Sequence, residues 1–426
     1  MSKKTSVVAE AAPGGLAAGD RTPLRAWAIV VLCLFGISTG PAAFGIGSIG
    51  VFVDTFQTSF GWGRGDISSA ISLLMLSTAI SVPIAGMLVD RFGPRAVLAP
   101  SLVALGLCML AAPLVKELWQ LQAIYLAMGS LAAGSNSVAY MRVLASWFDR
   151  SRGLAIGIAG SGTGLGFAYV PLLTQHLKAA YGWAYGYYGL AALALCVTLP
   201  MVLLFVRERP PAAVLESGEV SKAEIGVSLA EAVRGRDFWS LVMMFVGVSA
   251  MLYGLLPHLV PLLTDKGYDP ATAAQLASVF GLATFVGRIV IGFLVDRFDA
   301  RRIALIFFLL SALGLPLLGM DLPIWALFIA ALLLGGSLGA EVDMLAYLVS
   351  RYFGLRCFAQ IFGVLFGAVM LAMGVGPLVF GAIFDATGSY GATLLAGAPV
   401  CAAAALITLL LRPYGARARG GPISAT

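Results

Sequence analysis

The chain repeats a ten-residue segment after half of its own length. Residues 86–95 read GMLVDRFGPR and residues 292–301 read GFLVDRFDAR, so seven of the ten positions are identical at an offset of 206 residues. Each copy ends an apolar stretch. Such a repeat predicts two similar halves. If both halves lie in a membrane, the seam between them can hold a solute, which makes a transporter the first hypothesis.

The composition places both halves in a lipid bilayer. Of the 426 residues, 60% are hydrophobic and only 11% are charged, and the mean hydropathy is +0.94, far outside the range of soluble domains. A helix needs roughly 20 apolar residues to cross about 30 Å of hydrocarbon. Twelve stretches satisfy this requirement, so we expect an all-α membrane protein of twelve transmembrane helices in two six-helix halves. They lie near residues 26–53, 67–89, 96–115, 119–147, 153–178, 184–206, 238–264, 271–295, 301–320, 324–350, 359–384 and 391–412.

The distribution of Lys and Arg predicts the orientation, because basic residues in short loops stay in the cytoplasm. With the N-terminus inside, 21 of the 27 basic residues lie on the cytoplasmic side, so both termini are expected there. The net charge of +6 follows from this topology and indicates membrane lipid, but no nucleic acid, as a partner. The predicted segments are a tail, an N-terminal half, a charged cytoplasmic linker, a C-terminal half and a second tail: 1–24, 25–206, 207–237, 238–412 and 413–426.

The duplication extends beyond the repeated loop. The same offset of 206 relates Pro171 to Pro377 and Gly182 to Gly388. Both copies of the loop lie on the same predicted side of the membrane, so the two halves are expected to have the same orientation, related by an axis along the membrane normal.

The repeated loop also carries a resemblance. Its pattern Gly-x-Leu-x-Asp-Arg-x-Gly-x-Arg, placed between two apolar spans, resembles the loop signature of the major facilitator superfamily. Residues 61–68, GWGRGDIS, and residues 147–157, WFDRSRGLAIG, resemble the branch that contains oxalate/formate antiporters and monocarboxylate transporters. The resemblance implies the major facilitator fold. It also implies a monomeric secondary transporter of the bacterial cytoplasmic membrane, whose halves rock about a site near the midplane.

The charges of the repeated loops predict a gate. At the end of a span, an acid and neighbouring bases can pair with adjacent helix ends in one conformational state and release them in the other. The alternative is that these charges only anchor the topology at the lipid headgroups. The candidates for gating are Asp90, Arg91, Arg95, Asp149, Asp296 and Arg297.

Arg288 is a candidate ligand for an anion. A charge within a span costs several kcal/mol unless it is paired or faces water, so it marks a functional site by default. Arg288 lies eight residues before Asp296, which places it about 12 Å inside the span. A guanidinium grips a carboxylate with two parallel hydrogen bonds, and Gly287-Arg288 resembles the arginine with which monocarboxylate and oxalate carriers hold their anion. The alternative is a structural salt bridge.

Two acids in the tenth predicted span are candidates for proton coupling. Glu341 and Asp343 lie ten and eight residues before Arg351, which places them about 12 to 15 Å deep. Two residues apart on a helix, they point in different directions and cannot both face the cavity. We expect one to face the substrate or Arg288 and the other to pair with a neighbouring helix. A purely structural ion pair is the alternative.

Other polar residues within spans are weaker candidates. Asn136 and Tyr253 occupy cavity-lining positions of this architecture and could hydrogen-bond to a substrate. His258 could donate to an anion or titrate, and its alternative is an interior histidine whose hydrogen bonds are satisfied within the protein. Arg142 is expected to reach the headgroups or to pair with the gate rather than to bind substrate.

Together these residues predict the transport of a small organic monocarboxylate with a proton. Residues 359–384 contain no Lys or Arg, whereas oxalate exchange uses a second cation in this span, so a dianion is disfavoured. Animal monocarboxylate carriers have a Lys in the first span and an Asp where this chain has Thr284. Either the coupling acid has moved to the tenth span or coupling is absent.

Two other classes of transporter stay open. One is an anion exchanger without proton coupling. The other is a proton-driven exporter of drugs or organic cations, in which Glu341 and Asp343 bind the cation and Arg288 is their structural partner. No nucleophile–base pair or ligand cluster predicts an enzyme, a metal site or a cofactor, and the five cysteines show no paired spacing and read as packing residues.

Overall fold

A computed structural model describes residues 24–148, 151–206 and 226–412. Within these ranges the chain is almost entirely helical. The helices are α1 Leu24–Ser38, α2 Pro41–Phe60, α3 Arg64–Phe92, α4 Pro94–Ala111, α5 Leu118–Leu131, α6 Ser137–Trp147, α7 Arg152–Gly160, α8 Gly162–Tyr181, α9 Trp183–Ala192, α10 Leu199–Phe205, α11 Leu229–Arg234, α12 Arg236–Leu255, α13 Leu259–Asp265, α14 Pro270–Arg297, α15 Ala300–Gly319, α16 Ile324–Tyr352, α17 Phe358–Thr387 and α18 Gly391–Leu410.

The described residues contain ten helices, some with a bend or a short non-α turn, that are long and apolar enough to cross a bilayer. Helices α1 and α2 form an eleventh span if the 43° bend between them lies within the membrane. The predicted span at 119–147 is interrupted, since α5 and α6 are separated by Ala132–Asn136, and neither helix alone is long enough. The side chain of Asn136 accepts a hydrogen bond of 2.7 Å from the backbone of Ser137 and starts the second helix.

The residues that repeat at the offset of 206 occupy equivalent places in two long helices. Pro171 lies inside α8 and Pro377 inside α17. Gly182 ends α8 with φ of +102°, and Gly388 ends α17 with φ of +69°. Glycine adopts such positive φ values without steric cost, so the repeated glycines stop the two helices at equivalent points.

The predicted linker is shorter than expected at its C-terminal end. Helix α12 begins at Arg236, and Asp237 is buried rather than solvated. The short helix α11 precedes it, started by a capping box in which the backbone amide of Ser228 donates to Glu231, which lowers the pKa of that carboxyl. Residues 207–225 and the tails at 1–23 and 413–426 lie outside the described ranges.

The two halves approach each other closely at the end of the bundle that carries the repeated loops, which we call the motif end. Helix α3 runs along α17, and α14 runs along α7. A Cβ atom on Gly86 would collide with the carbonyl oxygen of Ala359, and one on Gly292 would lie 2.5 Å from that of Gly153. These two contacts are related by the offset of 206. Glycine lets helix backbones touch in this way in a membrane.

The halves separate towards the opposite end. On α17, an added Cβ at Gly363 or Gly367 would lie within 3 Å of α3, whereas one at Gly374 would meet nothing within 4 Å. On α14, an added Cβ at Gly292 would lie within 3 Å of α7, whereas one at Gly281 would meet nothing within 4 Å. Residues 7 or 11 apart lie on nearly the same face of a helix. The seam is therefore closed at the motif end and open beyond it.

We predict that Gly292→Ala weakens closure of the motif end. The new methyl group must push α14 away from the backbone of Gly153, and overpacking of this kind costs about 1–3 kcal/mol. Double electron–electron resonance should then show a longer distance between spin labels at the exposed positions Arg95 and Arg302, one in each half. Gly281→Ala in the same helix is the matched control, and an effect of equal size in both variants would contradict the prediction.

Candidate functional site

Asp90 ties the first half to the second at the motif end. It lies at the end of α3, and its two carboxylate oxygens accept hydrogen bonds of 3.1 Å from the backbone of Ala359 and 2.7 Å from that of Gln360. Both amides belong to the first turn of α17. The first amides of a helix have no partner within it and carry its positive dipole end. A carboxylate from the opposite half therefore caps α17.

Asp296 makes the equivalent contact in the other direction. Its carboxylate oxygens accept hydrogen bonds of 2.7 Å from the backbone of Gly153 and 2.8 Å from that of Leu154, at the start of α7. Donors and acceptors in the two contacts are related by the offset of 206. Each half thus caps a helix of the other, and both contacts must break before the halves can separate at this end.

Three arginines surround these carboxylates. Arg142 Nη1 lies 3.7 Å from Asp90 Oδ1, so Arg142 pairs with the gate. Arg152 is buried, donates to the carbonyl of Phe148 and crosses the seam to the hydroxyl of Ser350 at 3.1 Å. Arg351 and Arg152 both act electrostatically on Asp296. Arg152 and Arg351 were not among the sequence-based candidates, although Arg152 lies inside the segment 147–157 that carried the resemblance.

The other gating candidates do not take part in these contacts. Arg91, Arg95 and Arg297 are exposed and form no ion pair with a residue that the structure describes. Arg297 lies over the ring of Phe293 at 3.8 Å instead. In this conformation helix amides rather than these basic side chains satisfy Asp90 and Asp296, so a gating role for the three arginines stays a prediction. The remaining candidate, Asp149, lies outside the described residues.

Arg288 lies at the seam, deep within α14. Its Nη1 donates a hydrogen bond of 2.8 Å to the carbonyl of Gly160 in the other half and lies 3.4 Å from both carboxylate oxygens of Asp343. Gly160 is the last residue of α7, and one residue separates it from the start of α8. No described residue hydrogen-bonds to Nε or Nη2 of Arg288. The edge formed by these two nitrogens can hold a carboxylate.

The two acids of α16 point to different neighbours. Asp343 pairs with Arg288, whereas Glu341 accepts a hydrogen bond from the hydroxyl of Ser249 in α12. Glu341 is fully buried, and its Oε2 has no partner. Ser249 and Gly160 were absent from the sequence-based candidates, since a Ser in an apolar span, or one Gly among the six of residues 153–166, carries no signal of its partner.

The remaining candidates have different surroundings. Tyr253 of α12 interacts electrostatically with Glu341, Arg288 and Asp343 and so lies in the same cluster. Asn136 caps α6 at the interruption between α5 and α6.

His258 is engaged inside the C-terminal half. Its Nδ1 lies 3.0 Å from the hydroxyl of Tyr390, and its Nε2 lies 3.1 Å from the carbonyl of Pro377. Since a carbonyl only accepts, Nε2 carries a hydrogen and donates to it. Both ring nitrogens thus have protein partners, and the satisfied interior histidine describes this residue better than the predicted anion ligand.

The chain is similar to a known protein family and to several of its members. A family model described as Major Facilitator Superfamily matches residues 35–275 and 259–425. Monocarboxylate transporter 13 of Rattus norvegicus is 28% identical over 404 residues, 90% of this chain and 88% of the relative. The gallate transporter of Pseudomonas putida is 27% identical over 406 residues, 85% of this chain and 90% of the relative.

A solved structure is also similar to this chain. The fucose:proton symporter of Escherichia coli superimposes with a TM-score of 0.69 at 16% identity, over 91% of this chain and 98% of the symporter. At this level of identity the similarity concerns the fold.

We predict that Asp90→Asn, and equally Asp296→Asn, lowers transport at least about tenfold. The amide loses the charge and turns a donor towards the helix amides, and a hydrogen bond to a charged group contributes about 1.5–3 kcal/mol. Uptake normalised to the amount of protein in the membrane measures this effect. Asp66→Asn, an exposed residue at the other end of α3, is the control. Undiminished uptake by a normally inserted Asp90→Asn protein would contradict the gating role.

Proposed function

Because this chain belongs to the Major Facilitator Superfamily, we propose that it is a secondary transporter that moves a small organic monocarboxylate, together with a proton, across the bacterial cytoplasmic membrane. Twelve spans are proposed, with the interrupted α5 and α6 forming the fourth. Both termini lie in the cytoplasm, and the transporter acts as a monomer in lipid.

The free edge of Arg288 is the observation that carries this proposal. Nη1 is held by Gly160 and Asp343, which fixes the plane of the guanidinium. Nε and Nη2 then present two parallel N–H donors, the geometry that matches one carboxylate. The residue stands at the seam, where a substrate site in this architecture is expected. Two relatives are named as a monocarboxylate transporter and a gallate transporter. Both names refer to carboxylates, which supports the same substrate class for this chain.

The conformation of the seam supports alternating access. With the proposed orientation the motif end is cytoplasmic, so the closed caps at Asp90 and Asp296 describe an outward-facing state. An extracellular anion reaches Arg288 from the open end. Release of the two caps then opens the cytoplasmic side. Coupling to a proton is supported by buried acids beside Arg288 and by the similarity in fold to a proton symporter.

Transport into liposomes tests the function. We expect purified protein to accumulate radiolabelled monocarboxylates, such as lactate or benzoate, when the external solution is more acidic than the lumen. Arg288→Ala should abolish accumulation. Arg288→Lys should reduce it strongly because an ammonium keeps the charge but lacks the fork of donors. Arg302→Ala, an exposed arginine of α15, is the matched control and should transport normally.

Three outcomes would contradict parts of the proposal. Equal uptake with and without a pH gradient would indicate exchange or facilitated diffusion. Competition by lipophilic cations, with none by carboxylates, would indicate an exporter of organic cations. Normal uptake by Arg288→Ala would exclude Arg288 as the anion ligand.

A further inference from the structure

We propose that Glu341, and not Asp343, takes up the transported proton, and that protonation of Glu341 and binding of the anion to Arg288 favour each other. This inference rests on the proposed function and assigns the proton site within it. It follows from the different partners of two acids that stand two residues apart on α16.

Asp343 has a cation in contact. Both of its oxygens lie 3.4 Å from Nη1 of Arg288, and its side chain is 2% exposed. An arginine is always charged, and removing one partner of a buried ion pair leaves an uncompensated charge that costs several kcal/mol. Protonation of Asp343 would have this consequence for Arg288. Asp343 therefore balances the arginine and orients it.

Glu341 has no such cation in contact. It is 0% exposed, one oxygen accepts from the Ser249 hydroxyl, and Oε2 has no partner. No ion pair within 4 Å joins it to a described residue. A buried charge without a contacting partner is costly within a bilayer, so the neutral acid suits this site. The polar and charged groups that act on Glu341 are Ser249 and Tyr253 from α12, Arg288 from α14 and Cys401 from α18.

The formal charges of the cluster explain why a proton and an anion should travel together. With Glu341 neutral, Arg288 and Asp343 cancel, and a bound monocarboxylate leaves one net negative charge. With Glu341 ionised, the same bound anion would leave two. Tyr253, which interacts with all three side chains, places them within one electrostatic environment. Protonation of Glu341 should therefore raise the affinity for the anion, and by linkage the anion should raise the affinity for the proton.

Anion affinity measured against pH tests this assignment. In the wild type, the dissociation constant for lactate or benzoate, measured by calorimetry in nanodiscs, should rise by up to about tenfold per pH unit above a midpoint. Glu341→Gln, whose amide can still accept from Ser249, mimics the neutral acid, so it should bind tightly with no pH dependence. Asp343→Asn should retain a pH-dependent affinity.

Transport gives a second readout. Glu341→Gln should lose accumulation driven by a pH gradient, and its exchange of labelled for unlabelled substrate should no longer depend on pH. The substrate-induced alkalinisation of the external medium seen with the wild type should be missing from this variant. Ser249→Ala keeps the carboxyl group and removes only the hydroxyl that stabilises its ionised form, so the midpoint of the affinity profile should move to higher pH.

The failures of the two proposals are distinguishable. A wild type that neither binds nor exchanges carboxylates would overturn the proposed function and this inference with it. A wild type that accumulates carboxylate, alongside a Glu341→Gln variant that does so equally well, would overturn the assignment of Glu341 alone. Loss of the pH dependence in Asp343→Asn, with its retention in Glu341→Gln, would transfer the proton site to Asp343.

Discussion

The closed end of this protein depends on two carboxylates that cap helices in the opposite half. Asp90 accepts from the first amides of α17, and Asp296 accepts from those of α7. The glycine contacts beside them bring the helix backbones close enough for these hydrogen bonds to form. The first amides of a helix can be satisfied either by an acid or by water. Water can therefore replace each cap when the halves separate. The two caps thus hold the seam closed in this conformation through hydrogen bonds that water can replace.

The duplicated scaffold positions chemistry that is not duplicated. Gly157 packs against the backbone of Arg288. At the offset of 206, Gly363 corresponds to Gly157 and Val82 corresponds to Arg288, and Gly363 packs against the backbone of Val82. The backbones are equivalent, but only one of the two positions carries a charge. Glu341 and Asp343 likewise correspond to Ser135 and Ser137. The capping acids are repeated in both halves, whereas Arg288, Asp343 and Glu341 lie in the C-terminal half alone.

Much of the fold could be predicted because the repeat and the apolar stretches are local signals. The fourth span was predicted as continuous, yet residues 132–136 interrupt it. Gly134, Ser135 and Asn136 favour a helix break and a cap, but the apolar residues on both sides keep the stretch as a whole hydrophobic. The repeated loop singled out Asp90 and Asp296, and the structure shows both of them capping helices of the opposite half. The amides that these acids accept from could not be predicted, because backbone amides have no signature in a sequence. His258 was ambiguous for the same reason, since its partners Tyr390 and Pro377 lie more than a hundred residues away in the chain.

The sequence by itself determined the membrane class, the two halves, the positions of most spans and the short set of charged residues that lie within them. Hydropathy and an internal repeat can be read from the order of the residues alone. Only the tertiary structure decided how the charges are paired. Arg288 contacts Asp343, which is 55 residues away in the sequence, and Gly160, which is 128 residues away. Glu341 contacts Ser249, which is 92 residues away. Such pairings depend on how each helix is rotated about its axis, and packing against neighbouring helices sets that rotation.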